Sequence, residues 1–269
     1  MDLVLWAVAA VVIGAFGTLV GVGGGIVLVP ILLFVYPSES PGRLTAISLA
    51  VVFANAVSGS AAYFRLRRPD YRSGIVLALA TIPGAVLGAI VVTAIPVKTF
   101  DLIMGIALLA VALRLLVSPG GTHPLLDQSA MSVHRHLVDT SGVVADYRFN
   151  LGLAALLSTG VGFLASLLGV GGGIIQVPLL TIFFSFPAHV ATATSQFVLM
   201  ITSASATVTH VLHGDLGRFV PLTLALAAGM VVGGQLGAAL SRRVSASGLI
   251  RLLTLALALA GVRLLVQGL

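Results

Sequence analysis

GVGGGIVLVP at residues 21–30 returns as GVGGGIIQVP at residues 169–178. Each copy follows a long apolar run and opens a short one, about 26–36 in the first case and 174–186 in the second. Glycine tolerates positive φ and lets another group come close to the backbone, so each copy reads as a sharp break between two helices. At about 1.5 Å per residue, a run this short reaches roughly half way through a hydrocarbon core of about 30 Å. The expectation is a pair of broken or re-entrant helical hairpins whose Gly-rich tips lie inside a bilayer.

Working outward, further apolar runs cover 3–20, 44–64, 74–95 and 99–117 before the second copy, and 151–168, 190–212, 218–241 and 248–267 around and after it. Lengths near 20 fit membrane-crossing helices. The 269 residues are 58% hydrophobic and only 8% charged, with a mean hydropathy of +1.15. A water-facing domain carries about a quarter charged residues, so the chain reads as an all-α integral membrane protein with the lipid bilayer as its surround. The opening MDLVLW has no basic segment ahead of its apolar run, so residues 1–20 read as a retained membrane segment. With no cysteine, disulfides, thiolate metal sites and thiol catalysis are excluded. The net charge of +6, from 14 basic and 8 acidic residues, reads as a topology signal; no basic stretch interleaved with aromatics suggests a nucleic-acid partner.

The stretch 118–149 is polar, with Pro119, Gly120, Gly121, His123, Asp127, His134, Arg135, His136, Asp139, Asp146 and Arg148. It reads as a surface linker with room for one amphipathic helix, and His134 and His136 as solvated loop residues; no metal or cofactor is expected. The division is a first transmembrane repeat at 1–117, a cytoplasmic linker at 118–149 and a second repeat at 150–269. The two repeats correspond beyond the glycine motif. Thr45, Ser48, Asn55 and Ser58 match Thr192, Ser195, Thr202 and Ser205; Leu87-Gly88-Ala89 matches Leu236-Gly237-Ala238; Arg114-Leu115-Leu116 matches Arg263-Leu264-Leu265. Internal repeats of membrane segments mark secondary transporters.

Charge placement sets the two repeats in opposite orientation. Arg65, Arg67, Arg68 and Arg72 follow the third segment of the first repeat, whereas the equivalent second-repeat loop holds Arg218 beside Asp215. The basic loop of the second repeat, with Arg242, Arg243 and Arg251, comes one helix later, where the first repeat has only Lys98. The positive-inside rule then puts both termini outside the cytoplasm and the linker inside.

The free N–H groups and dipole of a first helical turn make an anion site, and two inverted hairpins bring two such ends together. Gly23, Gly24, Gly25, Gly171, Gly172 and Gly173 are therefore the candidate substrate-binding backbone for a small anion. Ser48, Asn55, Ser195 and Gln196 are the candidate side chains beside them. Thr45, Ser48, Asn55 and Gly59 share a helix face, as do Ser195, Thr202 and Thr209; such a stripe serves either a polar cavity or helix packing. Gln176 reads as an interhelical hydrogen-bond former. Asp101, Arg114 and Arg263 lie near helix ends and can snorkel. No Asp or Glu sits mid-span, so a carboxylate proton relay is not expected. His210 and His213 read as interface residues. No carboxylate pair and no His-acid cluster points to an enzyme.

The paired G-x-G-G-G-x-x-x-x-P stretches, together with Pro83-Gly84-Ala85-x-x-Gly88-Ala89 and its partner Gly234-x-x-Gly237-Ala238, resemble the sulfite exporter TauE/SafE family of membrane permeases. The second repeat departs in having Gly229-Met230 where Pro83-Gly84 is expected. The resemblance covers nearly the whole chain apart from the linker. It implies a permease, in the cell membrane, for sulfite, thiosulfate or small organosulfonates. A permease for another small anion such as a carboxylate, and a non-transport intramembrane enzyme or assembly factor, stay open beside it, as does homo-oligomerisation.

Overall fold

The computed structural model describes residues 3–117, 132–140, 142–241 and 246–268. Pro119, Gly120, Gly121, His123 and Asp127 of the linker, and Arg242 and Arg243 of the orientation argument, lie outside the described residues.

The first half holds α1 (Leu3–Val20), α2 (Gly25–Val35), α3 (Pro41–Arg65), α4 (Tyr71–Thr93) and α5 (Val97–Val117). The second half holds α6 (Leu151–Leu167), α7 (Gly173–Pro178), α8 (Ala188–Leu212), α9 (Val220–Leu240) and α10 (Ala246–Gly268). A π-helical stretch, Leu179–Phe183, continues α7. Among the described residues, five helical segments are long and apolar enough to cross a membrane: Leu3–Val20, Pro41–Arg65, Tyr71–Thr93, Ala188–His213 and Gly217–Leu240. Their outer faces carry exposed Val12, Leu79 and Leu224, as lipid-facing helices do and a water-facing surface would not. The chain is a multi-pass membrane protein.

Local chemistry sets several ends. Pro41 opens α3, where a missing N–H costs nothing. Asp70 caps α4 by accepting from Ser73 N at 3.1 Å, and Asn150 caps α6 by accepting from Leu153 N at 3.0 Å. Both are ordinary N-cap contacts.

Helices of one half pack mainly on helices of the other. α1 lies on α9 and α6 on α4; α3 lies on α9 and α8 on α4; α5 pairs with α10 and α3 with α8. Exchanging the halves reproduces this set of pairs. Glycines permit the closest crossings. A Cβ added to Gly84 would fall 2.0 Å from Thr159 O, and one on Gly88 2.3 Å from Phe163 O. On the other side, Gly233 and Gly237 meet Val11 O and Ala15 O at 2.4 and 2.2 Å in the same sense. Packing thus pairs Gly84 with Gly233. Val232, not Gly229, stands at the place of Pro83, so the departure expected at Gly229-Met230 dissolves into a shifted alignment.

The linker contains a β-hairpin where at most a helix was expected, an addition to the all-helical reading. β1 (Ser132–Val138) pairs antiparallel with β2 (Val144–Asn150), His136 opposite Asp146. Ala145, Tyr147 and Phe149 alternate inward along β2 and pack with Phe184 and Phe186, which follow the π-helical stretch.

Candidate functional site

The two glycine turns take the same shape. Gly21, Gly23 and Gly24 have φ of 81°, 79° and 84°; Gly169, Gly171 and Gly172 have 68°, 82° and 88°. Left-handed backbone costs other L-residues about 1–2 kcal/mol each, which is why the duplicated motif is so rich in glycine. The turns also cross backbone to backbone. A Cβ on Gly25 would sit 2.8 Å from Val170 O, and one on Gly173 would sit 2.2 Å from Gly21 O. Gly23 and Gly171 both lie over the side chains of Val52 and Leu199.

Two serines tie the crossing. Ser48 donates to Gly169 O at 2.6 Å, and Ser195 donates to Gly21 O at 3.2 Å. Each serine belongs to one half and holds the turn of the other. Among the described residues, the N–H groups of Gly24, Gly25 and Ile26, and those of Gly172, Gly173 and Ile174, donate to no acceptor. The structure therefore brings the six candidate glycines, Ser48 and Ser195 into one buried centre.

Asn55 and Gln196 join the same centre as a bridge. Asn55 donates to Gly14 O and Met230 O, both at 3.1 Å. Its Oδ1 accepts from Thr18 Oγ1 at 2.9 Å and from Gln196 Nε2 at 3.2 Å. All four hydrogen-bonding positions of the Asn55 amide are thus engaged by the protein.

The surroundings of the two turns differ. Beside the second lies a small cavity of about 10 Å³, whose lining includes Thr81, Gln176, Ser195 and Thr202. Gln176 is 2% exposed; its Nε2 donates to Ser158 Oγ at 3.2 Å and its Oε1 has no partner. Thr81 and Thr202 touch hydroxyl to hydroxyl at 2.6 Å. Beside the first turn the Met230 side chain approaches Gly24 and Gly14. Leu28 stands where the second motif has Gln176 and is fully buried. Thr81 was missed in the sequence because it comes from the first repeat to line the second repeat's turn. Its trace was a hydroxyl two residues before Pro83 in an apolar helix.

Charges sit at the two ends of the helices, away from this centre. At one end, Arg68 reaches Asp139 of the linker and Ser241 after α9, both at 3.4 Å. Asp70 binds Arg135 at 3.3 Å and accepts from Tyr147 Oη at 2.9 Å. Burial first, and the Asp70 carboxylate next, push the Tyr147 phenol up, so it stays a donor. At the other end, Glu39 before α3 pairs with Arg43 at 3.0 Å and with Arg218 before α9. His134 and His136 face Asp146 on an exposed strand pair at 2.5 and 3.4 Å. No cluster among the described residues is placed to hold a metal ion.

Residues 6–264 match the family described as Sulfite exporter TauE/SafE. A probable membrane transporter protein of Bacillus subtilis, YunE, is 30% identical across 100% of this chain and 99% of its own length. A probable membrane transporter protein of Methanocaldococcus jannaschii, MJ0441, is 24% identical over 90% of this chain and 87% of its own. Another from Xylella fastidiosa is 29% identical over 85% of this chain and 81% of its own. No solved structure matches the chain.

Proposed function

From its place in the sulfite exporter TauE/SafE family, to which the chain belongs, we propose that it is a permease for a small sulfur-containing anion: sulfite, thiosulfate or an organosulfonate. The observation that carries the reading is the crossing of two glycine turns with six N–H groups that find no acceptor among the described residues. Oriented N–H groups at helix starts stabilise negative charge, and buried ones left without partners are costly. A small oxyanion at the crossing gives the free N–H groups of Gly24, Gly25, Gly172 and Gly173 an acceptor; those of Gly23 and Gly171 already donate to Gly17 O and Ala165 O, at 3.0 and 3.3 Å. Ser48 and Ser195 hold the turns in register for it.

Transport proceeds by alternating access, the two halves rocking about the crossing so that the site opens first to one face and then to the other. The reciprocal packing of the halves and the inverted orientation argued from charge support this. α3 ends at Arg65 on the side where α8 begins, with Asp70 N donating to Thr194 Oγ1 at 3.0 Å. The names of the relatives, probable membrane transporters, point the same way.

The test is counterflow in liposomes holding purified protein, with labelled sulfite, thiosulfate and a sulfonate. Uptake driven by unlabelled sulfur anion inside, without chemical conversion, is the expected result. Exchange of acetate but of no sulfur anion would move the substrate class to carboxylates; conversion of the solute would replace the permease with an enzyme.

A further inference from the structure

The halves are alike in backbone and unlike in what they present to the two glycine turns. Gln176, Thr81 and Thr202 surround the second turn. Their counterparts by the pairing of motifs and helices are Leu28, Met230 and Asn55. Leu28 and Met230 are apolar and fully buried, Met230 lies against Gly24, and Asn55 is saturated by protein partners. Apolar side chains close on the first turn, whereas a small cavity lined by Gln176 adjoins the second; Gln196 Oε1 is also buried without a partner among the described residues but does not line that cavity.

The polar inventory of that chamber is specific. Ser158 Oγ donates to Ala154 O at 2.7 Å, so its single hydrogen is used and it can only accept from Gln176 Nε2. This fixes the amide orientation and leaves Gln176 Oε1, an acceptor, without a partner. The neighbouring hydroxyls cannot supply it. Ser195 donates to Gly21 O. Thr81 and Thr202 have backbone acceptors at Ala78 O, 2.7 Å, and Val198 O, 2.9 Å, as well as each other at 2.6 Å. Two hydroxyl hydrogens cannot fill three such bonds, so none is spare for Gln176.

We infer that the chain has a single ligand chamber, at the second glycine turn, and that Gln176 Oε1 makes it select small anions carrying an O–H or N–H donor. The inference deepens the permease reading above and rests on it. The cavity, about 10 Å³, is near the size that one water occupies, and water can donate to Gln176. A ligand that displaces water must donate in its place or leave the buried oxygen unsatisfied. Hydrogensulfite and hydroxy- or aminosulfonates meet that requirement; fully deprotonated sulfite and plain alkylsulfonates do not. A protonated substrate then carries its own proton, which fits a chain with no mid-span carboxylate.

The test compares isethionate with ethanesulfonate, sulfonates of similar size that differ in a hydroxyl, by calorimetric titration of the purified full chain in detergent. Isethionate is expected to bind one per chain and at least about tenfold tighter. Gln176→Leu, which installs the residue of the first repeat, and Gln176→Met are both expected to bring the ratio close to one. Equal affinity in the unmodified protein, a ratio that survives both substitutions, or two equivalent sites per chain would overturn the inference while leaving the permease reading in place. No binding of either sulfonate, of sulfite at any pH from 6 to 8 or of thiosulfate would overturn the permease reading and this inference together.

Discussion

At the scale of single residues, the glycines of the motif separate into those needed for conformation and those needed for space. Gly172 has a φ of 88°, a conformation that strains any added side chain, and its added Cβ would meet the Ala165 Cβ at 3.0 Å. Gly173 has no unusual φ, yet its Cβ would lie 2.2 Å from the Gly21 carbonyl. Gly173→Ala should therefore cost about 3 kcal/mol or more, as overpacking against backbone does. Gly160, in α6 with nothing near its added Cβ, is the control: Gly160→Ala should be neutral or stabilise by up to about 1 kcal/mol. Thermal unfolding in detergent distinguishes the two. Ser48→Ala strands the Gly169 carbonyl in a buried centre and should cost about 1–3 kcal/mol, with a matching loss for Ser195→Ala. Equal stability of both serine variants and the parent protein would remove the crossing from the account. The sequence disclosed that these serines correspond and belong near the motif. It did not disclose that each bonds to the other half, because a spacing along one chain carries no record of which turn faces which helix.

At the scale of elements, the linker hairpin shows where reading by composition fails. Residues 118–149 are polar on average, and averaging hides the alternation of Ala145, Tyr147 and Phe149, all buried on one face of β2. A period of two was there to be read; its partner surface, Phe184 and Phe186, lies after the second broken helix and is far off in sequence. The hairpin is held by the Asp70 carboxylate, 2% exposed as a side chain against 18% for Arg135. Removing one partner of a buried pair leaves the other charge uncompensated. Asp70→Ala should thus cost about 3 kcal/mol and also free the start of α4, whereas Tyr147→Phe should cost about 1 kcal/mol. Hydrogen exchange confined to β1, β2 and the start of α4 would locate the loss. At the opposite end, the Arg43 guanidinium first, and Arg218 after it, hold the Glu39 carboxyl below the usual carboxylate range. A depressed folded value means that the stabilisation is complete above the unfolded carboxylate pKa and is lost as pH falls through the folded one. Acidification should loosen the Glu39–Arg218 contact between the loops, and Glu39→Gln should flatten the acid limb of a melting-temperature profile. An unchanged acid limb would mean that the contact contributes nothing.

At the scale of the whole molecule, the two halves share a backbone and differ in side chains: apolar Leu28 and Met230 lie beside one turn, and a small cavity lined by Gln176, Thr81 and Thr202 adjoins the other. Such a difference requires only side-chain changes on a duplicated frame, since the glycines that shape both turns are retained in both copies. The frame makes a prediction about sidedness that is independent of any substrate. Arg68 touches both Asp139 of the linker and Ser241 at the end of α9, so the basic loop after α3 and the basic loop after α9 share one face. Glu39 and Arg218 join the loops of the other face. Basic loops stay in the cytoplasm, which puts the hairpin inside and Arg218 outside if the halves are inverted. The chain has no cysteine, so single cysteines report cleanly. His134 and Arg218 are exposed side chains at 63% and 74%, suited to labelling. In intact cells a membrane-impermeant thiol reagent should modify Arg218→Cys and leave His134→Cys untouched until the membrane is opened. Modification of His134→Cys alone would reverse the orientation read from charge while keeping the two faces opposite; modification of both from outside would break the inverted arrangement. Alternating access about a central crossing would then lose its structural basis, even if the sulfur anions were still carried.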